Sequence, residues 1–154
     1  MSRAFVKESD DDLVAGELPE RPLSAHQNYV TPQGLDRLQA RVRELQEQHE
    51  QLASRARDDS QAKQKLREVE RDQRYFNAQL EHAIVVDPAG QPQDKVHFGA
   101  LVTIVDEDGK EHRFNIVGDD EADVAAGKIS WDSPLAKAMI GAKEIGRASC
   151  RERV

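Results

Sequence analysis

The sequence predicts an α+β protein in which an antiparallel coiled-coil hairpin precedes a small β domain with one helix. Apolar residues recur in steps of three and four over two successive stretches, 35–56 and 62–83, with only a short polar turn between them. Strand-like runs then appear at 100–105, 111–117 and 129–131, and a Ser-Pro pair opens a last short helix at 133. Only 38% of the 154 residues are apolar while 33% are charged, a balance that suits solvated helices and a thin core rather than a large enzyme domain.

Residues 1–28 hold Asp10, Asp11 and Asp12, two prolines and little periodic apolar content, and read as a disordered acidic arm. Leu13, Val14 and Leu18 give it a weak means of docking on a partner, but a solvated extension is the simpler expectation. Thr31 and Pro32 mark a helix start, because a Thr side chain accepts from free first-turn amides and Pro suits the first helical position. Gly34 is a poor helix former and points to a packing partner that needs it small. The first seam is Leu35, Leu38, Val42, Leu45, His49, Leu52 and Ala56; the second is Ala62, Leu66, Val69, Gln73, Phe76, Leu80 and Ala83. His49 and Gln73 read as polar positions that set the register. With Arg57, Asp58, Asp59 and Ser60 as turn and cap, the arms fold back into a hairpin over 29–86, its first arm about 40 Å long. Residues 87–95, rich in Pro and Gly, form a linker to a β domain at 96–143. There the Asp106-Glu107-Asp108-Gly109 turn joins two strands, a third strand follows, and Ser133 caps a helix whose Leu135, Ala138 and Met139 face the sheet before Gly141 ends it.

A net charge of −7 makes the whole chain a poor nonspecific binder of nucleic acid, so any DNA or RNA contact must come from a local basic face. No stretch approaches the roughly twenty apolar residues of a membrane span, nor is there a signal-like apolar segment, so a soluble cytoplasmic protein is expected. The single cysteine, Cys150, supports neither a disulfide framework nor a zinc site. It lies in EIGRASCRERV (144–154), which matches one reading frame of a common sequencing adapter and is expected to be a tail foreign to the natural chain.

Between residues 96 and 141 the sequence carries, in order, Phe98-Gly99-Ala100 before a strand, the DEDG turn, IVGDDEAD (116–123), Ile129-Ser130, and Asp132-Ser133-Pro134 opening SPLAKA. Upstream stands VTPQGLDRLQARVREL (30–45). Together these resemble the GreA/GreB family of bacterial transcription elongation factors over about residues 29–143. The resemblance implies a strongly bent, FKBP-like sheet with further strands after the helix, so that 96–143 is expected to be an incomplete domain. It also implies a monomeric accessory factor rather than an enzyme. The coiled coil would enter the secondary channel of RNA polymerase, and the β domain would dock on the β′ subunit at the channel rim.

Three groups of residues are candidates for function. At the tip, the resemblance gives Asp58 and Asp59 the task of helping to hold a Mg²⁺ shared with the polymerase active site, near a nascent RNA 3′ end that the polymerase itself cleaves; no cofactor of its own is implied. Mg²⁺ takes hard oxygen ligands and needs only one or two added carboxylates. Residues 55–64, RARDDSQAKQ, lack the family's Glu-Asn pair and nearby Tyr, and the arms look short, so a channel-occupying regulator without cleavage is the alternative. The plainer role for both aspartates is to cap the second helix. Lys63, Arg67, Arg71 and Arg74 fall on one helix face suited to RNA phosphates or acidic channel walls, although Glu68, Glu70 and Asp72 among them also suit an ordinary salt-bridged surface. Asp132, Ser133 and Pro134 match the family's polymerase-docking residues. Asp119, Asp120, Glu121 and Asp123 lack the alternate spacing of a calcium loop, and no metal is expected there. A stand-alone prolyl isomerase is a remote alternative, since Phe98, Phe114 and Trp131 are too few to line an aromatic pocket.

Overall fold

A computed structural model describes residues 18–143; most of the acidic arm, including Asp10, Asp11 and Asp12, and the tail with Cys150 lie outside the described residues. The fold is α+β, with helices α1 (Pro32–Arg55) and α2 (Ser60–Glu81) forming the hairpin. Each arm starts as its sequence dictates. The Thr31 hydroxyl accepts from the Gly34 amide at 3.0 Å, and Asp59 Oδ1 accepts from the amides of Gln61 at 2.9 Å and Ala62 at 3.3 Å. Leu38, Leu45, Ala62 and Val69 are buried between the arms. The polar seam positions pair across it: His49 Nε2 lies 3.3 Å from Glu70 Oε1, and Gln73 donates to Gln46 Oε1 at 3.2 Å.

The hairpin stands on a two-stranded base that its periodicity does not reveal. Strands β1 (Asn28–Val30) and β2 (Ala83–Val85) pair in parallel, with Tyr29 opposite Ile84. At three residues each they are too short to show an alternation. Val30 is fully buried there, and Asn28 Nδ2 donates to the Gln79 carbonyl at 2.8 Å, tying the base to the last turn of α2.

The β domain holds β3 (Leu101–Val105), β4 (Glu111–Val117) and β5 (Lys128–Ser130), in the order β3-β4-β5. β3 and β4 are antiparallel across the expected tight turn, where Asp106 Oδ1 accepts from the amides of Asp108 and Lys110 and Gly109 takes φ +79°. β5 runs parallel to β4 and ends one residue before Trp131. The connection between them turns twice as 3₁₀ helix, at Asp119–Glu121 and Val124–Ala126, and carries four acidic residues, Asp119, Asp120, Glu121 and Asp123. Helix α3 (Pro134–Met139) closes the core, packing Ala136 and Met139 on Ile116 and Ile129. Ala138, expected to face the sheet, is exposed instead. In so short a helix the buried stripe is the i, i+3 pair 136 and 139, and position 138 lies to its outside.

Candidate functional site

At the hairpin tip the two aspartates have different surroundings. Asp59 is engaged as the cap of α2, with its Oδ2 also 3.7 Å from Arg55 Nη2. Asp58 is exposed, and its carboxylate makes no hydrogen bond or ion pair among the described residues. The tip therefore presents one carboxylate free to take a new partner and one already bound to helix amides.

The basic face of α2 is not bare. Lys63 and Arg67 are exposed, and Arg71 is half-buried with Nη2 3.4 Å from Asp72 Oδ1. Arg74 makes a forked contact with Glu20, Nε to the two carboxylate oxygens at 3.0 and 3.2 Å and Nη2 to Oε1 at 2.6 Å. That guanidinium holds the Glu20 carboxyl below its usual range, with a smaller pull from Arg71. Next to it the Arg21 guanidinium lies 3.9 Å from the centre of the Tyr75 ring.

On the β domain, Ser133 Oγ accepts from the Ala136 amide at 3.2 Å and Pro134 occupies the exposed first position of α3. Asp132 sits between Lys137 and His26. Its Oδ1 is 2.7 Å from Lys137 Nζ and its Oδ2 is 3.3 Å from His26 Nε2. The Lys137 contact chiefly, with the charge of His26 behind it, holds this carboxyl below the usual range. A remaining quarter of the side chain faces solvent, so the corner presents an ionised carboxylate that a partner can reach.

The acidic loop joins the two modules. Glu121 is buried at 8% exposure, yet its carboxylate is fully engaged: Oε2 accepts from the amides of Thr31 and Gly118, each at 3.1 Å, and Oε1 accepts from the Thr31 hydroxyl. It lies against the N-terminus of α1, where the helix dipole favours negative charge. Asp120 grips the other arm. Its Oδ2 accepts from Gln79 Nε2 at 2.6 Å and its Oδ1 from the Tyr75 hydroxyl at 2.9 Å. Asp119 accepts from Ser130 Oγ and so anchors the loop to β5. Three consecutive carboxylates thus hold α1, α2 and the sheet together. The spacing of these acidic residues speaks only against a calcium loop and does not reveal this role. The signal that could have found its role is Gly34, since a Cβ there would lie 2.2 Å from Glu121 Cδ.

The modules also flank an open groove of about 470 Å³ lined by Tyr29, Val86, Gln91, His97, Phe98, Trp131, Lys137 and Ile140. This corrects the expectation that the chain has no aromatic-lined pocket. Tyr29 comes from the hairpin base and stands edge-on to Trp131, with centroids 5.1 Å apart, and 6.0 Å from Phe98. Counting aromatic residues within the β domain alone misses it. Phe114 is not part of this wall and lies against the domain core.

A coiled-coil hairpin is clamped to a small β domain, with the tip at one end and the α3 corner at the other. The family model for the C-terminal part of GreA/GreB transcription elongation factors matches residues 91–147. The transcription elongation factor GreB of Pseudomonas aeruginosa is 36% identical over 137 residues, covering 80% of this chain and 81% of that protein. GreB of Neisseria meningitidis is 47% identical over 83 residues, which is 53% of this chain and about half, 51%, of that protein's length. The crystal structure of the Gfh1 protein of Thermus thermophilus aligns over 77% of this chain and 85% of its own, with 22% identity and a TM-score of 0.39. The chain belongs to the GreA/GreB family of transcription elongation factors.

The junction gives two measurable outcomes. Gly34→Ala should destabilise the protein by roughly 1–3 kcal/mol in chemical denaturation, because the new methyl displaces the buried Glu121 carboxylate. Intrinsic helix propensity alone would predict a gain of about 1 kcal/mol, so the sign decides. The Tyr75 hydroxyl is pushed up to about 12, first by burial and then by its hydrogen bond to Asp120. A folded pKa raised above the ordinary value of about 10 means that the contact contributes fully below that value and is lost as pH rises through 12. Ultraviolet titration should show a phenolate step near pH 12 that disappears in Tyr75→Phe and falls to lower pH in Asp120→Asn.

Proposed function

We propose that this chain is an accessory factor of bacterial RNA polymerase, acting in the cytoplasm as a monomer. Its β domain docks on the β′ subunit at the rim of the secondary channel, through Asp132, Ser133 and Pro134. The hairpin extends from there into the channel and modulates elongation or the rescue of backtracked complexes. The observation that carries this reading is the clamp. With 24 residues in α1, the arm reaches about 36 Å, and the acidic loop makes it continuous with the docking corner, so a rim contact determines where the tip lies. Ser133 and Pro134 shape the start of α3, and the ionised Asp132 supplies a charge for a basic partner.

At the tip, Asp58 is the carboxylate available to complete the shell of a Mg²⁺ held mainly by the polymerase, and the face carrying Lys63, Arg67, Arg71 and Arg74 lies toward the RNA. A divalent cation there would polarise the scissile phosphate and activate water. Asp59 shapes the turn through its cap. Any cleavage of the RNA 3′ end is the polymerase's own reaction. Occupation of the channel without cleavage is the second reading, favoured by the tip sequence around Asp58. The groove of Tyr29, Phe98 and Trp131 gives the prolyl isomerase alternative an aromatic wall, and turnover of a proline-containing peptide by the purified chain is the result that would favour it.

Purified backtracked complexes separate these readings. If the chain stimulates Mg²⁺-dependent RNA shortening, Asp58→Asn should reduce the stimulated rate by about tenfold or more, the loss expected when a carboxylate ligand near a catalytic metal is removed. Asp132→Ala should weaken polymerase binding by about tenfold with the fold intact. Binding without shortening selects the channel-occupying role, and loss of neither binding nor effect in Asp132→Ala removes the docking corner from the account.

A further inference from the structure

The aromatic groove between the modules is continuous with the Asp132 corner. Trp131 lines the groove and directly precedes Asp132, while Lys137 lines it too and holds Asp132 Oδ1 at 2.7 Å. His26 touches both parts. Its Nε2 is 3.3 Å from Asp132 Oδ2, and its ring stands edge-on to Trp131 with centroids 6.1 Å apart, so carboxylate and indole are within reach of a single residue. The groove itself is mostly apolar, and Ile140 at its edge is 38% exposed. Its hydrogen-bonding capacity is also unmet: Trp131 Nε1, His97 Nε2 and Gln91 Oε1 are buried with no hydrogen-bond partner among the described residues.

We propose that the groove and Asp132 form one docking surface, which takes from the polymerase rim a large apolar side chain and, within a few residues of it, a basic one. This rests on the reading above that Asp132 docks on the polymerase. The basic group meets the carboxylate that Lys137 keeps ionised, and the apolar side chain covers ring surface of Tyr29 and Trp131. A main-chain amide of the same segment carries both an acceptor and a donor, which suits the lone indole N–H and the Gln91 carbonyl once side chains at the contact adjust. The carboxylate beside the groove repels phosphate, so the occupant is a protein segment and not a nucleic acid strand. Tyr29 belongs to the hairpin base and Trp131 to the β domain, so the partner grips the joint between the modules rather than the β domain alone.

The test is the affinity of the full chain, labelled at Cys150, for bacterial RNA polymerase core enzyme by fluorescence anisotropy. Ile140→Glu places a charge in the groove at a partly exposed position and should weaken binding about tenfold or more. Tyr29→Leu keeps apolar bulk but removes the ring, and should weaken binding about three- to tenfold. Val124→Glu, at an exposed site outside the groove, adds the same charge and should bind as the unaltered chain does. Circular dichroism and the denaturation midpoint of each free variant check that it is folded. If Asp132→Ala weakens binding but Ile140→Glu and Tyr29→Leu do not, the groove is refuted and the docking corner stands. If the groove variants weaken binding and Asp132→Ala does not, the pairing of an apolar with a basic side chain is refuted. If none of the three weakens binding, or the unaltered chain does not bind, the docking corner fails and the groove with it.

Discussion

The carboxylate of Glu121 at the N-terminus of α1 is the contact on which the arrangement depends. A buried carboxylate costs several kcal/mol unless donors replace its water, and here two amides and one hydroxyl do so. Two of those donors belong to Thr31, the residue that starts the hairpin, and the third to Gly118, in the loop that leaves β4. Folding the β domain therefore positions a capping group for the coiled coil, and folding the coiled coil supplies the donors that the loop needs. Gly34 follows from the same constraint, because the carboxylate lies where a side chain on the third helical residue would be.

Asp120 extends the constraint to the second arm through Tyr75 and Gln79, and Arg21 covers the Tyr75 ring from the other side. One loop thus holds both helices at their base, far from the tip. Between the arms, His49 with Glu70 and Gln73 with Gln46 place polar pairs where apolar residues would pack more strongly. Such pairs favour one register over its neighbours and so fix where the far end of the hairpin lies relative to its base.

Much of this was legible in the sequence, for identifiable reasons. The seams around Leu38, Leu45 and Val69 repeat over several turns, and Thr31-Pro32 and Ser133-Pro134 are local signals whose chemistry leaves little choice. The β3–β4 hairpin follows from DEDG between two apolar runs. The parallel pairing of β1 with β2 was not legible, because three-residue strands carry no period and their partners stand 55 positions apart, as Asn28 and Ala83 do. Nor was the groove wall, which needs Tyr29 beside Phe98 and Trp131. The tip shows the limit at the level of single residues. Asp58 and Asp59 are neighbours of the same type, and only the course of the backbone makes one a helix cap and leaves the other exposed.

The central claim is that the acidic loop makes hairpin and β domain one rigid lever. Pulsed electron spin resonance tests it directly, with labels at Arg57→Cys near the tip and Lys110→Cys in the β3–β4 turn, in a chain carrying Cys150→Ser. A single narrow distance distribution is predicted, which broadens when Asp120→Asn and Glu121→Gln are introduced together while each module keeps its secondary structure. A distribution that is already broad before those changes, or one that stays narrow after them, would contradict the account.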